Sequence, residues 1–133
     1  MTYGYNNRSA MLRLPQTRFA IENRAADMCM NPYLSLAMTS AAMTEGVVNN
    51  YSPGEPLNSD LYNMDAAAIK ESGAQRLPRN LLEALETLQT DELALKVLGE
   101  PLRNSFLQYK FDEWERYHQT VTDWEVTEYL RLY

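Results

Sequence analysis

One segment constrains the fold of this chain more than any other: NPYLSLAMTSAAMTEG, residues 31–46. Asn31 is a good helix N-cap, Pro32 fits the first helical position, and Gly46 offers a stop. Between them Leu34, Leu36, Ala37, Met38, Ala41, Ala42 and Met43 go nearly all the way round a 3.6-residue helix. A helix apolar on every side needs cover on every side, so Tyr33 to Met43 is expected to be the central buried helix. Met30, Met38 and Met43 then read as core filler rather than redox-active groups.

Ahead of that helix lie two short alternating runs, SAMLRLP (9–15) and RFAIENR (18–24), joined by Pro15-Gln16-Thr17. They suit a pair of neighbouring strands with a tight connection. In the second run a period of two puts Arg18, Ala20, Glu22 and Arg24 on one face, with Phe19, Ile21 and Asn23 on the other. An ordinary salt ladder on an exposed sheet has the same look.

The charge of that region sets it apart. The chain carries a net −6 overall, which argues against general binding to nucleic acid or to an anionic membrane. Residues 1–24, however, hold four arginines (Arg8, Arg13, Arg18 and Arg24) against one acid, Glu22, while the remaining residues hold eight basic and seventeen acidic groups. The basic charge of this region is all arginine, whose planar fork suits phosphate and carboxylate oxygens. A single cysteine, Cys29, excludes an internal disulfide and a cysteine-based zinc cluster, suits a reducing cytosol, and is expected to be a small buried residue. No apolar run reaches the length of a membrane span and no signal-peptide pattern opens the chain, so a cytoplasmic protein is expected.

Beyond Gly46 the segment VVNNYSPGEPLNSDL (47–61) reads as a long ordered loop, with PGEP as a contact surface. A short helix is expected at 66–72. Asn80 caps an amphipathic helix with Leu81, Leu82, Leu85 and Leu88 on one side. Leu93, Leu95, Val97 and Leu98 continue in a second short helix ended by Gly99. Pro101 opens a helix with Leu107, Phe111, Trp114 and His118 in one stripe. His118, the only histidine, reads as the polar end of that stripe, since no partner residues support it as a base. Thr122 and Glu125 have capping-box spacing, and the apolar residues Trp124, Val126, Tyr129, Leu130, Leu132 and Tyr133 suggest a docked end. The fold class expected is α+β: a short N-terminal strand pair followed by about five helices. At 133 residues, one compact unit is expected.

The ordered series NNRSAMLRLP, IENRAAD, NPYLSLA, PGEPLNSDLY, LPRNLLEAL and VTDWEVTEYL resembles the C-terminal part of the catalytic domain of the glutamine synthetase family. The likeness runs over nearly the whole chain, and the NNRSAMLRLP and closing EWERYHQTVTDWEVTEYLRLY spellings look closer to the type III or glutamate–amine ligase branch. The resemblance implies an ATP-dependent ligase that phosphorylates the side-chain carboxylate of glutamate and lets ammonia displace the phosphate, with ATP and Mg²⁺ or Mn²⁺ as cofactors. It implies that Glu22 ligates a metal, Arg24 binds glutamate, Arg8 lies near the γ-phosphate and substrate as the catalytic arginine, and Arg13 faces the nucleotide phosphates. Many members carry an arginine where this chain has Ala20, and Arg18 is the candidate to do that phosphate work. The segment between LRLP and IENR is also shorter than in the common bacterial enzyme. Tyr62 stands where some bacterial members are adenylylated, but its neighbours Asn63, Met64 and Asp65 differ, and it reads as an ordinary loop tyrosine.

On that resemblance residues 1–133 are the C-terminal portion of a catalytic domain, without the N-terminal β-grasp domain and the upstream strands that supply the other metal-binding carboxylates. One carboxylate cannot hold a two-metal phosphoryl-transfer centre, so the isolated chain is expected to be inactive. Three readings remain: a piece of a ligase; an interaction module that assembles with a larger synthetase chain or with copies of itself; and a small helical domain whose likeness is ancestry alone.

Overall fold

The computed structural model describes residues 2–132, which fall into two compact units that divide between Leu77 and Pro78. Length alone sets an expectation of one. Residues 73–78, GAQRLP, form neither helix nor strand.

The first unit opens with a small sheet of order β1-β2-β3: β1 is Tyr3–Tyr5, β2 is Leu12–Leu14 and β3 is Glu22–Asn23. β2 and β3 are the expected strand pair, antiparallel and in register with Leu12 opposite Asn23 and Arg13 opposite Glu22. They are shorter than the alternating runs suggested, because residues 15–21 are spent in the connection, so Arg18 and Ala20 lie outside the strand. β1 is an addition to that pair and runs parallel to β2. Parallel neighbours ordinarily need a crossover of a dozen or more residues. Here Asn6 to Met11 suffice, because each strand is only three residues long and Asn6 turns the chain with a left-handed φ of 51°.

The loop after the helix seats itself on β1. Leu57 N donates to the Tyr3 carbonyl at 2.8 Å, Tyr5 N donates to Asn58 Oδ1 at 2.9 Å, and the Tyr3 hydroxyl donates to the Gly54 carbonyl at 3.0 Å. Gly4 allows the approach, since a Cβ there would collide with the Leu57 carbonyl.

The expected helix forms as α1, Pro32–Val48, with Asn31 Oδ1 accepting from Tyr33 N and Leu34 N. Two expectations fail on it. Gly46 does not stop it, and Val47 and Val48 belong to the helix rather than the loop. More importantly, α1 has no buried residue and packs extensively on no other helix or strand. Tyr33, Leu36, Met43, Val47 and Val48 are exposed, as are Met30 and Cys29. The reason is physical: an all-round apolar helix must be enclosed on every side, and the described residues half-bury only one face of it, through Leu34, Met38, Ala41 and Glu45. A 3₁₀ turn at Leu61–Asn63 and the short α2, Ala66–Glu71, complete the unit.

The second unit is helical. α3, Leu81–Thr90, is capped by Asn80 and packs on α4, Glu92–His118, as its one-sided leucines predict. Leu85, Ala94 and Leu107 are buried in this unit. α4 is broken at Gly99 (φ 70°, ψ 158°) before Pro101, the stop and restart read from the sequence. α5, Asp123–Tyr129, carries the expected capping box: Thr122 Oγ1 accepts from Glu125 N, and the Glu125 carboxylate accepts from Thr122 N. Trp124, Val126, Tyr129, Leu130 and Leu132 are exposed rather than docked, and Tyr133 lies outside the described residues. No helix among the described residues is long and apolar enough to cross a membrane.

Candidate functional site

The register of β2 against β3 sets Arg13 directly opposite Glu22, and facing side chains on an antiparallel pair stand close enough to bond. Arg13 Nη1 donates to Glu22 Oε2 at 2.7 Å. Arg18, from the connection, closes the other side, with Nη2 donating to Glu22 Oε1 at 2.6 Å. Each carboxylate oxygen therefore has its own guanidinium. The pair of arginines, Arg13 first and Arg18 second, holds the Glu22 carboxyl below the usual carboxylate range, so it is ionised at neutral pH.

Exposure divides the three. The side chain of Arg13 is 19% exposed and that of Glu22 28%, whereas Arg18 is 63% exposed. Arg13 is thus the fixed member: its second Nη donates to Asn6 Oδ1 at 3.3 Å, and its Nε is buried with no partner. Arg18 is the movable one, able to exchange Glu22 for an incoming anion at little cost in burial.

Arg8 and Arg24, the other two predicted arginines, are exposed, and neither side chain has a hydrogen-bond or ion-pair partner among the described residues. Arg24 continues from β3, its N–H donating to the Met11 carbonyl at 2.9 Å. The structure thus brings Arg13, Arg18 and Glu22 into one network and leaves Arg8 and Arg24 as unengaged cations on the flanking backbone. Ala20 adds no charge.

The residues that sequence reasoning passed over are Asn6, Asn7 and Ser9. Asn7 Oδ1 accepts from Ser9 N at 2.9 Å, an Asx turn with Arg8 at its corner. The spelling N-R-S, an asparagine two residues before a serine at a strand end, was a readable signal for that turn.

Elsewhere the predicted roles are modest. His118 ends its stripe exposed, its ring 3.8 Å from that of Trp114 and its Nδ1 3.2 Å from the Trp114 carbonyl, with no acid partnered to it. Tyr62 is exposed in the 3₁₀ turn, whose cap Asp60 accepts from its backbone N–H.

Comparison with known proteins places these features in a family. The profile described as "Glutamine synthetase, catalytic domain" matches residues 1–129. A glutamate–methylamine ligase of Methyloversatilis universalis is 43% identical over 98% of this chain and 29% of its own length. Glutamine synthetases of Thermus thermophilus and Archaeoglobus fulgidus are 37% and 36% identical, over 100% and 95% of this chain and 30% and 27% of theirs. A solved GmaS–ADP complex, in its first conformation, superposes with a TM-score of 0.82 at 36% identity, covering 98% of this chain and 29% of that one. The chain therefore spans under a third of the length of these relatives.

Proposed function

The chain belongs to the glutamine synthetase family, and on that premise we propose that it carries the arginine-rich part of an ATP-dependent ligase that joins ammonia or a small amine to the side chain of glutamate. The observation that carries the proposal is the Arg13–Glu22–Arg18 network flanked by two unengaged arginines. Phosphoryl transfer is mostly positioning and neutralisation of spreading negative charge. In this reading Arg13 and Arg18 face the nucleotide phosphates, Arg8 lies between the γ-phosphate and substrate, and Arg24 grips the carboxylate of glutamate.

A divalent cation accompanies ATP in such chemistry, and the donor set of this chain does not make a site for one. Mg²⁺ wants about six oxygen ligands in octahedral order. Both oxygens of Glu22 already accept from arginines, and no group of three or more His, Cys, Asp or Glu side chains among the described residues is placed to hold a metal. Glu22 offers one oxygen ligand at most, freed by parting from Arg18. The 133 residues by themselves are accordingly inactive, and formation of γ-glutamyl product from ATP by the purified chain would sink this reading.

The direct test is calorimetric titration of the chain with ATP and with glutamate. Binding that is lost in Arg24→Ala or Glu22→Ala supports a working half-site; heats that are unchanged in both variants reject it. For the acceptor, the 43% identity to a glutamate–methylamine ligase favours a small amine. A full-length relative that prefers ammonia to methylamine would argue for the synthetase reaction instead.

The uncovered apolar surface of α1 favours one further reading, in which this segment assembles with more of a synthetase chain. Co-purification with such a chain, and the disappearance of self-association when it is added, would distinguish assembly from a segment that acts alone.

A further inference from the structure

We infer that Asn7 and Ser9 are positioning residues for Arg8: they lock the backbone on both sides of that arginine into a rigid corner and tie the corner to residues 57–61. The inference deepens the proposed function, since it rests on Arg8 meeting an anion.

Asn7 is the one buried polar residue among those described, at 9% exposure. Its side chain has two donors and one carbonyl oxygen with two lone pairs, and all four are used. Nδ2 donates to the Leu57 carbonyl at 2.7 Å and to the Ser59 carbonyl at 2.9 Å. Oδ1 accepts from Ser9 N at 2.9 Å and from Ser9 Oγ at 2.7 Å. Ser9 Oγ in turn accepts from Leu61 N at 2.9 Å. A fully satisfied buried knot specifies one geometry, because each bond lost would strand a desolvated group.

Arg8 sits between the two residues of that knot, and its own side chain takes no part in it. The preceding residue is fixed as well. Asn6, left-handed at φ 51°, accepts at Oδ1 from Gln16 N at 3.2 Å and from Arg13 Nη2 at 3.3 Å. The turn therefore presents Arg8 from an immobile base while the same backbone steadies Arg13. A cation whose backbone is ordered before the ligand arrives loses less freedom on binding, which is the advantage of pre-organisation.

The test is ¹⁵N relaxation on the 133-residue chain, read at the Arg8 amide. In the unsubstituted chain the order parameter at Arg8 should equal that at Arg13, about 0.85, and Asn7→Ala should drop Arg8 below about 0.6 while Arg13 stays rigid. An Arg8 amide equally ordered in Asn7→Ala overturns the inference. Should Asn7→Ala fail to fold, Ser9→Ala decides: faster exchange at Leu61 with a looser Arg8 supports it, and both unchanged overturns it.

Calorimetry with ATP separates positioning from general stability. Asn7→Ala and Arg8→Ala should each weaken ATP binding roughly tenfold, and the double substitution should weaken it no further, because both remove the same contact. Losses that add independently overturn the inference. If the unsubstituted chain takes up no ATP, the phosphate-facing reading of Arg8 is what fails, and the relaxation result alone upholds or overturns the rigid corner.

Discussion

α1 and α3 begin alike and end differently. Each is capped by an asparagine whose Oδ1 accepts from the first turn, Asn31 from Tyr33 N and Leu34 N, and Asn80 from Glu83 N. Each is rich in apolar residues. Yet Leu85 of α3 is 2% exposed against α4, whereas Leu36 of α1 is 68% exposed. The difference lies in where the apolar residues point. α3 gathers them on one side, so a single neighbour close in sequence satisfies it. α1 spreads them round the helix and needs several neighbours at once. Caps and propensity make a helix; enclosure is a separate, non-local requirement.

The sharpest test substitutes one leucine on each helix. Leu85→Ala should destabilise the chain by about 2–5 kcal/mol, the range for emptying a buried leucine site, and Leu36→Ala by no more than about 0.5 kcal/mol. Urea unfolding of both variants reads this directly. A loss at Leu36 rivalling that at Leu85 would break the comparison, because it would mean that α1 is covered in solution.

Next in size is Gly99→Ala. The two helical stretches of α4 meet at Gly99, whose φ of 70° is a conformation that alanine adopts only with strain. The expected cost exceeds about 1 kcal/mol, with the melting temperature as the readout. Gly46→Ala is the matching control, since Gly46 lies inside α1 with open space around a Cβ. That change should raise helicity, the opposite sign. Smaller again are the caps: Asn31→Ala and Asn80→Ala should each cost about 1 kcal/mol of helix stability. Far-ultraviolet circular dichroism should show local fraying of α1 in the first, and in the second a loss that also lowers the α3–α4 unfolding midpoint. Equal effects on that midpoint would blur the distinction between the helices.

What could be read in advance follows the same division. The caps at Asn31, Asn80 and Thr122, the break at Gly99 and the β2–β3 pairing are decided within a few residues of themselves, and the structure has each of them. The burial of Tyr33–Met43, Cys29 and Met30 depends on residues distant in sequence, and hydrophobicity alone cannot say whether those residues are at hand. In the site, Arg18 and Glu22 were legible as opposite charges at strand spacing, although Arg18 lies in the connection; the pairing of Arg13 with Glu22 needed the strand register. Asn7 was not singled out, because an asparagine beside a strand reads first as turn punctuation, and only the return of Leu57 and Ser59 reveals its four bonds. Strand β1 was missed for a related cause: three residues, Tyr3–Tyr5, are too few for an alternation to register.

The smallest expected effect concerns two arginine clamps on a carboxylate, one taken from each unit. Glu22 is held by Arg13 and Arg18, and Glu83 by Arg79, each carboxyl lying below its ordinary value for that reason. A carboxyl whose folded-state pKa is depressed adds stability that is complete above the unfolded-state value and is lost as pH falls through the folded-state value. Stability should therefore be level at neutral pH and decline in the acid range below the ordinary carboxylate pKa, as both clamps lose their charge together. Glu22→Gln and Glu83→Gln should each flatten that decline. They should differ in one respect: Glu22→Gln leaves Arg13, only 19% exposed, without its counter-charge, while Glu83→Gln leaves Arg79, 74% exposed, to the solvent. Added salt screens exposed charges more than half-buried ones, so it should erase the neutral-pH deficit of Glu83→Gln and spare more of that of Glu22→Gln. Equal salt sensitivity would show that Arg13 is as open to water as Arg79, and would remove the ground for treating Arg13 as the fixed member of the site.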